Sequence, residues 1–207
     1  MTLLVLASGS PRRSELLGAL LAPHGSTFEV RPTNVDETPR PGESADDVVR
    51  RLAVDKAEAA LAAATERPIV VLAADTLVAV DGEVLGKPVD EADAARMLRL
   101  LSGSRHQVLT GVAVAASGGT SASLSVEVEV THVHMGPWTD DDIARYVATG
   151  EPMDKAGSYA IQEVGDRFVT RIEGNFDNVV GLPLGLTRRM LVEVGVDLPP
   201  DVQPPDV

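Results

Sequence analysis

The sequence contains no cysteine among its 207 residues. Disulfide bonds, thiolate nucleophiles and cysteine-based zinc sites are therefore excluded. Aromatic residues make up only 3% of the chain, which argues against stacking platforms for single-stranded nucleic acid. Apolar runs fall well short of the roughly 20 residues that a membrane-spanning helix needs, so we expect a cytoplasmic protein without a membrane partner.

Basic residues are in short supply as well. The chain has 18 Lys and Arg against 31 Asp and Glu, which gives a net charge of -13. Such an acidic protein is a poor general binder of the nucleic acid backbone, and we expect no nucleic acid partner. Any polyanionic ligand must therefore be held by a local cluster of Lys and Arg.

A chain of 207 residues suits one domain, or one core that a cleft divides into two lobes, and its 44% of hydrophobic residues is typical of a soluble globular protein. Periodicity, caps and turn residues predict that helices and strands mix along the whole chain. The predicted helices span 11–21, 45–64, 91–101, 140–149 and 182–194. The predicted strands span 2–7, 28–32, 69–74, 76–80, 83–88, 107–116, 123–135, 159–162 and 167–172. This order predicts an α/β fold with a mixed twisted sheet and flanking helices over residues 1–197, and a disordered tail over 198–207.

The first predicted helix begins with an unusual charge pattern. Ser10 is a good N-cap and Pro11 suits the first helical position, but Arg12 and Arg13 follow in the first turn. A helix N-terminus carries roughly half a positive charge, so acidic residues belong there. Three other predicted helices obey this rule; their N-caps are Ser44, Asp90 and Thr139. Because Arg12 and Arg13 add positive charge to a helix end that is already positive, we expect an anion to bind beside them.

The stretch Ser8-Gly9-Ser10-Pro11-Arg12-Arg13 follows a strand directly and opens this helix. Backbone N–H groups, two hydroxyls and two guanidiniums would converge there, which favours a site for phosphates. The alternative is a pair of solvated arginines at a frayed helix end. The segment is not a Walker loop, because the GxxxxGK[ST] pattern is absent.

Asp75 is a single carboxylate between two apolar runs, in IVVLAADTLVAV. Burying it without a partner would cost several kcal/mol. We expect it where the buried strand 69–74 ends, since open α/β sheets bind ligands at that edge. There it could hold a metal or act as a base. The alternative is a structural Asp that accepts hydrogen bonds from backbone amides.

For the remaining polar residues, the sequence alone gives weaker evidence of a functional role. Asp36 and Glu37 could share a divalent cation, although a solvated acidic loop is the favoured interpretation. Lys56 and Lys87 are single lysines among acids and are more often surface residues; Lys87 is the better candidate because it lies between Gly and Pro. Lys155 has a similar context.

Two further patterns involve Gln162 and the histidines. The amide of Gln162 can read a base edge, although a polar strand end is the simpler interpretation. His132 and His134 have the spacing of a two-ligand site on a strand, but no third ligand is apparent nearby and ordinary packing is favoured. No Ser/His/Asp arrangement is visible, so a triad hydrolase is not expected.

Taken together, these segments resemble the Maf family of nucleoside triphosphate pyrophosphatases. The resemblance covers residues from about 3 to 194, with several motifs in family order. The matching segments are LASGSPRRSELL, VDET, AADTLV, GEVLGKP, LSGSRHQVLTGVAV, YVATGEPMDKAGSYAIQ and NVVGLPL.

The resemblance implies two lobes around a central cleft, as in Maf and ITPase-like folds, and a homodimer. It also implies hydrolysis of a nucleoside triphosphate to its monophosphate and pyrophosphate with a divalent cation, Mg²⁺, Mn²⁺ or Co²⁺. An alternative role historically attached to the family is a nucleotide-binding regulator of cell division. Such a regulator would not need Asp75 and Glu37, so their presence favours an enzyme.

Roles for individual residues follow from the same resemblance. Asp75 would be the catalytic carboxylate, with Glu37 beside it near the metal. The residues implied to bind phosphates are Ser8, Ser10, Arg12, Arg13, Lys56 and Lys87. The positions implied to set substrate preference are Arg12, Thr76 and Gln162, and all three look like the subgroup that prefers dTTP and UTP.

Two departures from the family pattern lie near the implied base pocket. Glu163 replaces a small glycine, and Asn175-Phe176 stand where Ser-Tyr is common. They bear on base preference more than on the chemistry.

Overall fold

The computed structural model of the chain describes residues 2–66, 68–118, 122–161 and 167–198. The tip of the predicted loop between the two long strands, the positions of Gln162 and Glu163, and the predicted tail from 199 onward lie outside these ranges. Leu198 is buried, and its carbonyl accepts a hydrogen bond from the guanidinium of Arg188 at 3.1 Å.

A mixed sheet of seven strands forms the centre of the described chain, in the order β2-β1-β3-β5-β6-β7, with β4 paired to β3. The pairs β1–β2 and β1–β3 are parallel, and all the other pairs are antiparallel. The strands are β1 (Leu3–Leu6), β2 (Glu29–Val30), β3 (Ile69–Val80), β4 (Glu83–Leu85), β5 (Arg105–Ser117), β6 (Ser123–Met135) and β7 (Val169–Glu173). The predicted fold class is confirmed.

Helices cover the sheet, and the five that the sequence predicts are present with similar bounds. The helices are α1 (Pro11–Leu21), α2 (Ala45–Ala63), α3 (Glu91–Leu101), α4 (Asp140–Val147), α5 (Phe176–Val180) and α6 (Leu184–Glu193), and single 3₁₀ turns span Ala22–His24, Glu151–Asp154 and Ala156–Ser158. The short α5 and the 3₁₀ turns were not predicted, because pieces of three to five residues are too short to show a helical period. No described helix has the length and apolarity needed to cross a membrane.

The predicted caps form as the dipole rule requires. The hydroxyls of Ser44 and Thr139 belong to full capping boxes, and Asp90 accepts the N–H of Asp93 at 2.8 Å. All three of these helices carry acidic residues in their first turns, whereas α1 carries none. The charge exception at Arg12 and Arg13 is therefore a property of the folded protein.

Two strand predictions are wrong. The strand expected over 69–74 does not stop before Asp75 but continues to Val80, because β5 pairs with it from Ile69 to Ala79 and satisfies its backbone. Asp75 therefore lies in the middle of a strand.

The described part of the strand expected over 159–162 is irregular. Its backbone is anchored by a side chain instead of a neighbouring strand, since the N–H of Ala160 donates to the hydroxyl of Tyr146 at 3.1 Å.

The strand alternation of β3 divides the core between the two faces of the sheet. Val71 and Ala73 pack with α2 on one face, and Val70 and Leu72 pack with α1 and α6 on the other. A second cluster lies at the far end of the long strands, where α3 and α4 pack against Val78 and its neighbours. The strands β3 and β5 contribute residues to the clusters at both ends.

One glycine sets the distance between α2 and the sheet. Gly111 is the partner of Asp75 across the β3–β5 pair, and a Cβ atom built on it would lie 2.4 Å from the carbonyl oxygen of Val49 in α2. Any side chain at this position would push the helix away. The glycine therefore lets α2 approach the sheet beside Asp75, where Lys56 lies two turns further along the helix.

Candidate active site

A cleft forms where the parallel part of the sheet stops. The pairing of β1 with β3 ends at Leu6 opposite Leu72, and the pairing of β4 with β3 begins at Val78. Between these points the edge of β3 faces a cleft of about 850 Å³ that also receives the loop after β1 and the N-terminus of α1. Asp75 thus lines the cleft because its neighbour β1 ends, although its own strand continues.

The cleft brings together nine of the candidate site residues that lie in the described ranges, whereas Asp36 does not line it. Its lining includes Ser8, Ser10, Arg12, Arg13, Glu37, Lys56, Asp75, Thr76 and Lys87. They come from the loop after β1, from α1, α2 and β3, and from the loops before α2 and after β4. Gln162 lies outside the described residues, but Ile161, which precedes it, also lines the cleft.

Lys56 connects the two carboxylates on the polar side of the cleft. Its Nζ lies 2.6 Å from Oδ1 of Asp75 and 2.6 Å from Oε1 of Glu37. Lys56 and Asp75 are both buried, with 7% and 6% of their surface exposed. Burial works against ionisation of Glu37, but the hydrogen bond and charge of Lys56 outweigh it and lower the pKa of Glu37. Both carboxylates therefore face one point in the cleft.

Arg13 points from α1 into the same region and makes three side-chain hydrogen bonds. Its Nε donates to the carbonyl of Gly181 at 2.9 Å, its Nη2 to Oγ1 of Thr76 at 3.0 Å, and its Nη1 to Oγ of Ser8 at 3.3 Å. Burial lowers the pKa of the Arg13 guanidinium, and the charge of Asp75 opposes this shift. The protein thus fixes Arg13 with oxygen acceptors of its own.

Arg12 has a different partner across the cleft. Its Nη1 lies 3.1 Å from Oδ2 of Asp154, and Oδ1 of the same carboxylate accepts a hydrogen bond from Lys155 at 2.8 Å. Lys155 is buried, and it also donates to the carbonyl of Glu151 at 2.7 Å. Asp154 thereby supplies a counter-charge for Arg12, and Lys155 adds another cation to the cleft.

The serines build the turn that presents both arginines. Ser8 Oγ accepts the N–H of Ser10 at 3.2 Å, and Ser10 Oγ accepts the N–H of Arg13 at 3.5 Å as the N-cap of α1. These bonds fix the entry of the chain into the helix.

Apolar side chains also line the cleft, and together they form what we call the apolar wall. They include Leu77, Val78, Val84, Val108, Tyr159, Ala160, Ile161, Val179 and Val180. This wall escaped the sequence-based prediction because its residues come from five separate segments and look like ordinary core residues. Asp154 was missed as well, since one acid in an acidic chain gives no signal.

The hydroxyl of Tyr159, a residue of this wall, forms a hydrogen bond with Nε2 of His106 at 2.8 Å. His106 is 1% exposed. Burial lowers its pKa to about 4 and raises the pKa of Tyr159. Near neutral pH both groups are therefore uncharged, and the pair supports the wall without adding charge to it.

His132 and His134, the histidine pair with metal-like spacing, contact other partners. Nε2 of His132 lies 3.2 Å from the amide nitrogen of Gln107, and Nε2 of His134 lies 3.3 Å from Oε1 of Glu173. In the ranges that the structure covers, no three His, Asp or Glu side chains form a group that could hold a metal ion by themselves.

Comparisons with known proteins agree on one family. The family model for Maf-like protein matches residues 3–194. The chain is 51% identical over 199 residues to the dTTP/UTP pyrophosphatase of Anaeromyxobacter sp. (strain Fw109-5), covering 96% of this chain and 92% of that protein. It is 51% identical over 196 residues to the dTTP/UTP pyrophosphatase of Shewanella oneidensis, covering 93% and 98%.

A third relative is the dTTP/UTP pyrophosphatase of Escherichia coli O6:K15:H31, at 52% identity over 191 residues and 92% of each chain. Among solved structures, a nucleoside-triphosphatase (dITP/XTP pyrophosphatase) from Mycobacterium abscessus matches with a TM-score of 0.41 and 19% identity, over 64% of this chain and 72% of that one. That likeness is too distant to bear on the site.

The buried His106 predicts a dependence of stability on pH. Its pKa is about 4 in the folded protein, below the 6.5 of an exposed histidine, so the unfolded chain binds the proton more readily. We expect the contribution of His106 to stability to be complete above pH 6.5 and to fall as the pH drops towards 4, by about 3 kcal/mol in total.

The direct measurement is an NMR titration of the ring protons of His106, assigned by comparison with the variant His106→Gln. A midpoint well below 6 agrees with a neutral, buried ring. A midpoint near 6.5 would show that the ring is solvated in the folded protein.

Proposed function

The chain belongs to the Maf-like protein family, and from that premise we propose that it is a nucleoside triphosphate pyrophosphatase that prefers dTTP and UTP. The relatives that share half of its residues carry that name. The observation that carries the proposal for this chain is the cleft, in which several cations and two carboxylates meet beside an apolar wall. Such a division suits a ligand with a charged triphosphate and a flat base.

The polar side supplies the positive charge that a triphosphate needs. Arg12, Arg13, Lys56, Lys87 and Lys155 all line it, although the chain as a whole has a net charge of -13. Concentrating cations in one cleft attracts a polyanion there while the rest of the surface repels it. A volume of about 850 Å³ lies within the range of small-molecule sites.

The donor set on this side fits a divalent cation. Asp75 and Glu37 would hold it, since Mg²⁺ is usually bound by one or two carboxylates together with substrate phosphates and not by an all-protein cage. When bound, Mg²⁺, Mn²⁺ or Co²⁺ would polarise phosphate oxygens and acidify a water molecule. The ammonium group of Lys56 contacts both carboxylates and thereby brings them close together.

The residues then divide the work of hydrolysis. The carboxylate of Asp75 accepts a proton from the water that attacks the α-phosphorus. Arg12, Arg13 and Lys87 neutralise the charge that develops on the pyrophosphate leaving group. Lys56 keeps the carboxylate of Asp75 in place through its 2.6 Å contact. No covalent intermediate is needed, which suits a chain without cysteine.

The apolar side is proposed to take the base. Val108, Tyr159 and Val180 would contact its faces, and the amide of Gln162 would read the pyrimidine edge. The family resemblance further supports a cytoplasmic homodimer that clears unwanted nucleotides from the pool.

The reaction products test this function. The purified protein is incubated with each nucleoside triphosphate and Mg²⁺ or Mn²⁺, and pyrophosphate and orthophosphate are measured separately. We expect pyrophosphate, released fastest from dTTP and UTP. Orthophosphate alone would indicate a phosphatase, and the absence of both products would favour a regulator that only binds nucleotides.

The role of Asp75 is tested by the variant Asp75→Asn, which keeps the shape of the side chain but removes its basicity. We expect kcat to fall by at least about a hundredfold, as is typical when a general base is lost, with the circular dichroism spectrum unchanged. Asp81→Asn is a matched control, because Asp81 lies in the turn after the same strand with a φ of 49°, a conformation that Asn tolerates. Near-normal pyrophosphate release by Asp75→Asn would exclude the assigned role.

A further inference from the structure

Behind Arg13 lies a row of hydrogen-bonded side chains that the proposed function has not used. Thr76 on β3 and Thr110 on β5 are direct partners across the antiparallel pair, and their hydroxyl oxygens lie 3.0 Å apart. Thr110 is fully buried, and its hydroxyl lies 3.1 Å from the carbonyl oxygen of Asn178 in α5. The row therefore runs along one face of the sheet, from Arg13 in the cleft to α5.

The chemistry of the partners fixes the direction of these hydrogen bonds. The carbonyl of Asn178 can only accept, so Thr110 donates its single proton there. Thr110 must then accept from Thr76, and Thr76 in turn accepts from Nη2 of Arg13. The hydroxyl proton of Thr76 is thus committed to Thr110 and is not available to a nucleotide base.

Further hydrogen bonds hold Asn178, the last residue of the row, in place. The side-chain amide of Asn178, which is fully buried, donates to the carbonyl of Val108 at 3.1 Å and to Oγ1 of Thr131 at 3.0 Å. Thr131 donates to the carbonyl of Asn175 at 3.0 Å. These bonds tie α5 to β5 and β6.

Arg13 is therefore held at two points by the same short segment. Its Nε donates directly to the carbonyl of Gly181, just after α5, and its Nη2 reaches the carbonyl of Asn178 through the two threonines. A guanidinium is planar and rigid, so two fixed N–H groups determine the direction of the whole group. The third nitrogen of the guanidinium, Nη1, faces Ser8 and the cleft.

Building on the proposed function, we propose that Thr76, Thr110 and Asn178 are positioning residues that aim Arg13 at the triphosphate. These three side chains thereby influence the reaction through Arg13. We name Thr76, Thr110 and Asn178 the Arg13 tether.

The tether predicts a loss that is the same for every nucleotide. Thr110→Val keeps the shape of the side chain but removes the hydroxyl. We expect kcat/KM to fall roughly tenfold, the effect of about one hydrogen bond, and by the same factor for dTTP, UTP and dGTP. Thr76→Val should also lower kcat/KM, and Thr110→Ser, which restores the hydroxyl, should recover most of the loss.

A double-mutant cycle separates positioning from a merely structural role. If Thr110 acts through Arg13, adding Thr110→Val to Arg13→Ala should change kcat/KM by less than about twofold. Thr187→Val is the matched control, because Thr187 is a fully buried threonine on α6 whose hydroxyl has no hydrogen-bond partner within the described chain. It should leave kcat and KM unchanged.

Several results would overturn the tether. One is an unchanged kcat/KM for both Thr110→Val and Thr76→Val, and another is a full loss from Thr110→Val in the Arg13→Ala background. A Thr110→Val variant that alters the ratio of dTTP to dGTP hydrolysis would also contradict the tether, because a buried group that acts through Arg13 should not affect base preference. If Thr110→Val does not fold, the same comparisons with Thr76→Val decide.

A binding measurement tests the tether separately from the proposed function. Binding of inorganic tripolyphosphate with Mg²⁺ is measured by calorimetry, which needs neither a base nor turnover. Wild-type protein that binds tripolyphosphate but releases no pyrophosphate would refute the proposed function alone. Thr110→Val that binds tripolyphosphate as tightly as Thr187→Val would refute the tether alone.

Discussion

The buried contact between Lys56 and Asp75 is the interaction on which the site depends. Two charged groups leave water together, and either one alone would be an uncompensated charge in the core. The contact requires α2 to lie close to the sheet, which Gly111 permits by having no side chain beside Asp75. Glu37 then joins the same ammonium group from the loop before α2. One helix position thereby determines where two carboxylates meet.

The second constraint is positive charge at the wrong end of a helix. The folded protein offsets it with its own groups: a carboxylate for Arg12, and one backbone carbonyl with two hydroxyls for Arg13. The two arginines are therefore held differently. Arg12 makes an exposed ion pair that a phosphate could replace, whereas Arg13 is fixed from behind and presented to the cleft. Preorganised cations of this kind stabilise developing charge without reorganisation.

Much of this arrangement could be predicted from the sequence, because caps, periodicity and isolated charges are local signals. The five longer helices and the mixed sheet follow from them, whereas the meeting of Glu37, Lys56 and Thr76 with the other candidates in one cleft was implied only by the family resemblance. The extent of β3 could not be predicted, since it depends on pairing with β5, some forty residues away in the chain. The apolar wall and the hydrogen-bond acceptors of Arg13 could not be predicted either, because they come from distant segments of the chain. Every residue has a backbone carbonyl, so the sequence does not indicate that the carbonyl of Gly181 binds Arg13.

The cleft is proposed to direct water to the α-phosphorus of a nucleoside triphosphate. Hydrolysis of dTTP in ¹⁸O-labelled water, followed by mass spectrometry of both products, tests this point of attack most directly. Attack at the α-phosphorus places one labelled oxygen in the monophosphate and none in the pyrophosphate. Label in the pyrophosphate would mean attack at the β-phosphorus, and the assignment of Asp75 and the surrounding cations would then be contradicted.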